Sequence, residues 1–169
     1  MTRPAEVWLR GPVPGIQPAL QPVAHALLQV AEDLPPLLEH LTTEQVWVRP
    51  GRSGAIGFHL AHLTGSLDRL FTYARGEALN QEQLAVLTGE RALYDTQPPI
   101  GTLLAKLDSG VQRALEQLRR TRPDELAAAR LVGRQQLPST TLGLLVHAAE
   151  HTARHAGQIS TLLKVLPAP

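Results

Sequence analysis

Two histidines stand four residues apart in the segment His151-Thr-Ala-Arg-His155, and this spacing places both imidazole rings on one face of a helix. Residues at i and i+4 of an α-helix have Cβ atoms about 5–6 Å apart, so both rings can bind the same metal ion. Two further histidines, His59 and His62, lie on an earlier predicted helix and could supply a third ligand. The pattern predicts a metal site between two helices. The alternative is that these are ordinary helix histidines, hydrogen-bonded or solvated.

A helical projection shows which histidines of the C-terminal helix face the core. At about 100° per residue, His155 lies in the middle of the apolar stripe and His151 lies about 40° from it, still inward. His147 lies about 80° away, at the edge, and about 12 Å from His155 along the helix axis, so one ion cannot bind both. On the earlier helix, His59 points closer to the apolar stripe than His62, which lies on its flank. The pattern alone slightly favours His59 and leaves this choice open.

The composition favours packed helices over β-structure. Hydrophobic residues make up 43% of the 169 residues but aromatic residues only 4%, so Leu, Ala and Val must build the core. Cysteine is absent, which excludes disulfides, thiolate ligands and a cysteine nucleophile. No signal peptide and no run of about 18 apolar residues is visible. We therefore expect a cytoplasmic protein without a membrane partner.

The charge pattern and the motifs narrow the function further. Charged residues are 18% of the chain, the net charge is +1, and no basic block stands out, so we expect no nucleic-acid partner. The histidine pair lacks the glutamate of H-E-x-x-H, which disfavours metalloprotease chemistry. Three neutral imidazoles suit Zn²⁺, Ni²⁺ and similar divalent ions, and they leave a coordination position open, as in catalytic sites.

Four long helices are predicted, and four such helices indicate a four-helix bundle. A Pro/Gly-rich lead-in over residues 1–17 precedes a bundle domain over residues 18–169. Pro35-Pro36 should kink or split the first helix, and Ser53 should cap the second. No strand pattern of useful length is found, and the linker between the second and third long helices is long enough for a crossover. The predicted long helices cover residues 18–41, 53–75, 100–120 and 138–166, with a loop at 42–52, a short helix at 81–87 and a polar stretch at 121–137.

Two segments resemble signatures of a known family. SGAIGFHLAHLTGSLDRL, residues 53–70, and HAAEHTARHAGQI, residues 147–159, resemble the second-helix and last-helix signatures of the DinB-like (YfiT-like) superfamily of metalloenzymes. The opening LQPVAH, residues 20–25, is similar to the start of the family's first helix, so the resemblance spans residues 18–166. It implies an all-α four-helix bundle with crossover topology. It also implies a divalent metal held by His62, His151 and His155, and so favours His62 over His59.

The resemblance also implies a class of reaction. Family members of known activity include S-transferases and isomerases that use bacillithiol, mycothiol or glutathione. We therefore expect a metal-dependent small-molecule transferase with a low-molecular-weight thiol as cosubstrate. A metal-dependent hydrolase is one alternative, and a non-catalytic, stress- or damage-inducible bundle with a structural or adventitious metal is the other. Members are often homodimers; the resemblance thus raises a homodimer as a partner, which this sequence neither supports nor opposes.

Four residues near the expected ligands are candidates for the pocket or for hydrogen bonds to the ligands. They are His59, Tyr73, His147 and Gln158. The Trp-Ser-Ile that commonly leads into the second helix of this family is here Gly54-Ala55-Ile56, so the family's contact to substrate at that point is not carried over.

Overall fold

The computed structural model describes residues 4–166, which form a helical bundle with one small hairpin. In chain order the elements are α1 (Gln21–Leu38), α2 (Thr43–Trp47), α3 (Ile56–Ala74), α4 (Gln81–Gly89), α5 (Leu93–Thr96), α6 (Ile100–Arg120), β1 (Ala129–Val132), β2 (Leu137–Thr140) and α7 (Thr141–Val165). Helices α1, α3, α6 and α7 are the four long ones. The predicted fold class, an all-α four-helix bundle, is confirmed.

Two pairs of long helices that are consecutive in sequence, α1 with α3 and α6 with α7, are not neighbours in space. Extensive contacts join α3 to α7, α3 to α6, α1 to α7 and α1 to α6. In this ring of four, α1 lies diagonally opposite α3, and α6 lies diagonally opposite α7. The connections between α1 and α3 and between α6 and α7 therefore cross the end of the bundle. This is the crossover topology that the sequence resemblance implied.

The core is aliphatic, as the low aromatic content predicted. Leucines at helical spacing fill the centre of the bundle. The inward-facing side of each long helix presents one apolar stripe to the other helices. Each fully buried leucine or isoleucine stabilises the fold by about 1.5–3 kcal/mol relative to exposure. The largest fully buried side chains are Leu20, Leu27, Leu34, Leu38, Ile56, Leu60, Leu63, Leu67, Leu107, Leu118, Leu145 and Ile159.

The Pro-rich segment before α1 packs on the bundle. Val7 and Ile16 are buried, and the Val7 amide donates to Gln29 Oε1 at 2.8 Å.

Among the helices within residues 4–166, none has the length and apolar character of a membrane span.

The helices differ from the prediction at two points. Helix α1 is not split at Pro35-Pro36, because the turn continues beyond them: the Glu39 amide donates to Pro35 O at 2.9 Å, and Leu38 is fully buried. Ser53 does not cap α3. Its Oγ donates to Pro50 O at 2.7 Å, and α3 begins at Ile56.

Two short elements were not predicted. Helix α2 replaces part of the expected loop at 42–52. Thr42 and Gln45 cap its N-terminus with a reciprocal capping box. The antiparallel pair of β1 and β2 replaces part of the polar stretch, with positive φ at Gly133 and Gln136 in its turn. Four-residue strands are too short for a period-two pattern to be recognised. Because β2 occupies the predicted start of the last helix, that helix begins at Thr141. Thr140 caps it, and its side chain accepts a hydrogen bond from the Gly143 amide.

Candidate metal centre

Three histidines converge where α3 packs against α7. Each of His62, His151 and His155 offers a nitrogen that lies within 4.8 Å of the other two, and among residues 4–166 they form the group that could hold a metal ion. Their ring centroids are 4.6 Å apart for His151 and His155, 4.8 Å for His62 and His155, and 5.2 Å for His62 and His151. The i,i+4 pair on α7 supplies two of the rings. One residue of α3 supplies the third, as the resemblance implied.

Glu90 and Arg69 form a buried chain behind His62. His62 Nδ1 lies 2.8 Å from Glu90 Oε2, and Glu90 Oε1 lies 3.0 Å from Arg69 Nη2. Only 12% of the Glu90 side chain and 10% of the Arg69 side chain are exposed, against 24% for His62. Glu90 lies in the short turn between α4 and α5, so the connection between α3 and α6 contacts the histidine group.

His59 contacts His155 from the opposite side. The two Nδ1 atoms are 2.8 Å apart, so one ring donates a hydrogen bond to the other. His59 is buried, which agrees with its position near the apolar stripe of α3. Gly54 approaches it closely, because a Cβ at that position would lie 2.9 Å from His59 Nε2. His59 is thus a neighbour of the three-histidine group rather than a member of it.

Aromatic rings cover the α3 side of the site. Phe58 stacks on His62 with centroids 5.8 Å apart, and it also stacks on Tyr94 at 5.6 Å. Tyr94 packs edge-on against Trp47, and its hydroxyl accepts a hydrogen bond from the Ala55 amide. The ring of His62 therefore has apolar contact on one face and a carboxylate at Nδ1.

The pKa values of His151, His155 and the neighbouring His59 are lowered, which favours the neutral form that binds a metal. Burial, and then the neighbouring histidines, lower the pKa of His155 to about 4. Burial, and then the nearby His62, also lower the pKa of His151 and of His59. Burial alone would raise the pKa of Glu90, but the hydrogen bond and charge of His62 and the charge of Arg69 outweigh it, and the pKa is lowered. Glu90 is therefore an ionised acceptor.

The residues present fit a divalent metal. His151 Nδ1 is buried and has no hydrogen-bond partner in the described part of the chain, and such an atom costs about 1–3 kcal/mol unless something satisfies it. Three neutral imidazoles are the ligand set of catalytic zinc sites. A carboxylate that accepts the other ring N–H of a ligating histidine is also typical of such sites, and Glu90 has this relation to His62.

The remaining predicted candidates lie farther out. Tyr73 is eleven residues from His62 on α3, which places it about 16 Å away along the helix axis, too far to contact the group. His147 is exposed and paired with Glu150 at 3.3 Å, with its ring 5.7 Å from that of His151. Gln158 is exposed on α7.

Two charged residues were missed by the sequence analysis. Arg69 stands seven residues after His62, a spacing that puts both on one helical face, so it could have been found. Glu90 lies in a connection whose path no local pattern specifies.

A separate cavity of about 500 Å³ lies between α3, α6 and the hairpin. Arginines from three elements line it together with three carboxylates, although the sequence shows no basic block. The arginines are Arg75, Arg113, Arg120 and Arg130, and the carboxylates are Asp68, Glu116 and Glu125.

A four-helix bundle with crossover topology and a histidine group on its second and last long helices defines a class of protein. The family model of the DinB superfamily matches residues 26–159, and the chain belongs to that superfamily. Its fold is similar to that of the colibactin self-resistance protein ClbS, solved in complex with a dsDNA. The TM-score is 0.61 at 17% identity, over 86% of this chain and 95% of that chain. A comparison with curated proteins finds no match.

The likeness to ClbS corrects one expectation. We excluded a nucleic-acid partner on the basis of a net charge of +1, and this exclusion is wrong, because a protein of the same fold has been solved bound to duplex DNA. The net charge sums over the whole surface, whereas a nucleic acid contacts only one part of it.

Proposed function

We propose that this chain is a divalent-metal-binding member of its superfamily, with His62, His151 and His155 as the metal ligands. The observation that carries the proposal is the convergence of three imidazole nitrogens within 4.8 Å on two packed helices. The lowered pKa values of His151 and His155 support it, since only neutral imidazole binds a metal.

We propose further that the site is catalytic, in a cytoplasmic transferase that uses a low-molecular-weight thiol. Three protein ligands leave a coordination position open, and a bound divalent cation would supply Lewis acidity that lowers the pKa of a thiol or water. In the transfer, the thiol sulfur forms a bond to an electrophilic carbon, the leaving group departs with its electron pair, and the thiol proton passes to solvent. The protein needs no cysteine of its own for this chemistry, and it has none.

Within this proposal each neighbouring residue has a physical role. Phe58 covers one face of the His62 ring and keeps water from it, while Glu90 accepts from His62 Nδ1. His59 fixes the orientation of the His155 ring through the contact between their Nδ1 atoms.

The test is metal content by elemental mass spectrometry on untagged protein. We expect near-stoichiometric metal in the wild type, and loss of it in His62→Ala and in the double variant His151→Ala/His155→Ala. His59→Ala should keep the metal, and His25→Ala, whose ring contacts Gly11 O at 3.1 Å, is the matched control. A wild type that stays metal-free after reloading with zinc or nickel contradicts the proposal and favours the non-catalytic bundle.

The thiol step has its own test. Metal-loaded protein is assayed with bacillithiol, mycothiol and glutathione against generic electrophiles, beside ester and amide substrates that report a hydrolase. Turnover with a thiol that disappears in His62→Ala supports the transferase. Turnover without any thiol favours the hydrolase, and no turnover in a metal-loaded protein favours a structural metal.

Nucleic-acid binding is a second candidate function. It is favoured by the dsDNA complex of ClbS and by the four arginines around the cavity between α3 and α6. Arg113 and Arg120 are both exposed on α6, where they could contact phosphates.

This second candidate predicts salt-dependent binding of duplex DNA. Fluorescence anisotropy with a labelled duplex is measured in wild type and in Arg113→Ala/Arg120→Ala, at salt concentrations of about 50–200 mM. Log affinity falls linearly with log salt concentration, and the double variant should make this negative slope shallower by about 2, because each arginine would neutralise one phosphate. The control Arg10→Ala/Arg154→Ala removes the same charge from two exposed, ion-paired arginines. Equal slopes in both double variants refute a role for the cavity.

A further inference from the structure

The Glu90–Arg69 pair lies outside the three-histidine group and is not among the proposed ligands. Glu90 comes from the connection between α3 and α6, while His62 and Arg69 both come from α3, two helical turns apart. The three side chains form a line in which the Glu90 carboxylate lies between an imidazole at 2.8 Å and a guanidinium at 3.0 Å.

The carboxylate determines which nitrogen of His62 is free. An ionised carboxylate can only accept a hydrogen bond, so His62 Nδ1 must carry the proton. The neutral ring then has its lone pair on Nε2, away from Glu90. The contact between His59 and His155 does not determine the tautomer of either ring, because either Nδ1 atom can donate a hydrogen bond to the other.

Arg69 forms an ion pair with the carboxylate at 3.0 Å, although Glu90 Oε1 has no hydrogen-bond partner among the described residues. Its guanidinium is nine-tenths buried, and Nη1 has no hydrogen-bond partner within residues 4–166. Gly65 makes room for it, because a Cβ at that position would lie 2.9 Å from Arg69 Nη1 and 3.7 Å from Glu90 Oε1. Burying an arginine and a glutamate beside a histidine is costly for stability, so such a pair is poorly explained by stability alone.

We propose that Glu90, held by Arg69, is a positioning residue that fixes His62 as the Nδ1–H tautomer with Nε2 free for a metal ion. The connection between α3 and α6 is thereby part of the metal centre. This inference rests on the proposed metal-binding function and extends it to a residue outside the ligand set. Loss of such an outer carboxylate typically weakens metal binding by about 10–100-fold.

Two measurements on the full chain test the proposal, and one of them needs no metal. The first is the zinc dissociation constant, by competition with a chromophoric chelator, for the wild type, Glu90→Gln and Glu90→Ala. The second is the tautomer of His62 in the metal-free protein, from the ¹⁵N shifts of its two ring nitrogens. Glu82→Gln is the matched control, because Glu82 is exposed on α4 in the same connection. Circular dichroism checks folding, and Glu90→Gln keeps the side-chain volume if Glu90→Ala does not fold.

We expect Nδ1–H in the wild type and in Glu82→Gln, with a mixture of tautomers and about 10–100-fold weaker zinc binding in the Glu90 variants. If the zinc affinity and the His62 tautomer are both unchanged in the Glu90 variants, this inference is overturned, and the proposed function is unaffected. A wild type that binds no zinc overturns both, even if the tautomer follows Glu90.

Discussion

Lowering the pH should destabilise the metal-free protein through His155, and the structure sets the size of the effect. The pKa of His155 is lowered from 6.5 to about 4, first by burial and then by the neighbouring histidines. Above pH 6.5 the ring is neutral in both the folded and the unfolded chain. As the pH falls below 6.5, the unfolded chain takes up the proton first, so the free energy of unfolding decreases. The loss continues to about pH 4, where the folded state is protonated as well.

The magnitude follows from the gap between the two pKa values. Each pH unit within the gap costs at most about 1.4 kcal/mol, which gives an upper limit of about 3 kcal/mol. The ring is only half-buried, so solvent screening reduces the effect, and we expect about 1–2 kcal/mol from His155. His151 and His59 contribute with the same sign, because burial lowers their pKa values too.

The assay is urea unfolding followed by helical circular dichroism, with EDTA present, at several pH values from 7.5 to 4.5. Wild type is compared with His155→Gln, which cannot titrate, and with His40→Gln at an exposed position beyond α1. Wild type and His40→Gln should lose about 1–2 kcal/mol more than His155→Gln across this range. Parallel curves for all three proteins would refute the argument that burial among histidines keeps His155 neutral.

Four further predictions concern packing and the metal. Gly57→Ala should destabilise the fold by about 1–3 kcal/mol, because its Cβ would lie 2.7 Å from Trp47 Cε2. Gly157→Ala, with no atom within 4 Å of its Cβ, should instead stabilise it by about 0.5–1 kcal/mol, and thermal melts compare the two. Zinc at about 100 times its dissociation constant should raise the free energy of unfolding by about 2.7 kcal/mol in wild type but not in His62→Ala, as measured by urea titration. His147→Ala should keep the wild-type metal stoichiometry by elemental analysis, because His147 is exposed outside the group.

The sequence predicted the periodic parts of this molecule and missed the parts that depend on tertiary contact. The long helices and the pairing of His151 with His155 follow from a period of 3.6 residues, which a local window of the chain displays. The choice between His59 and His62 does not follow from it. Both residues contact α7, since His59 Nδ1 lies 2.8 Å from His155 Nδ1, but the group of nitrogens within 4.8 Å of one another contains His62 and not His59.

Glu90 illustrates why the rest could not be predicted. Its contact with His62 joins residues 28 positions apart, through a connection whose course is set by short helices and by packing on α3. The hairpin and α2 were missed for a related reason, since four or five residues carry too little periodicity to distinguish a strand or helix from a loop. The capping box at Thr42 and Gln45 was the local signal that could have indicated α2.

The packing of α3 against α7, which follows it much later in the chain, affects how the protein is made. His62 is separated from His151 by 89 residues, and α3 meets its partner on the histidine side only when α7 is in place. During synthesis, at about 5–20 residues per second, the chain therefore spends several seconds with α3 exposed and the three-histidine group incomplete. Under the proposed function, a nascent chain cannot bind the ion through all three ligands before His155 has left the ribosome, so metal uptake would follow synthesis of α7.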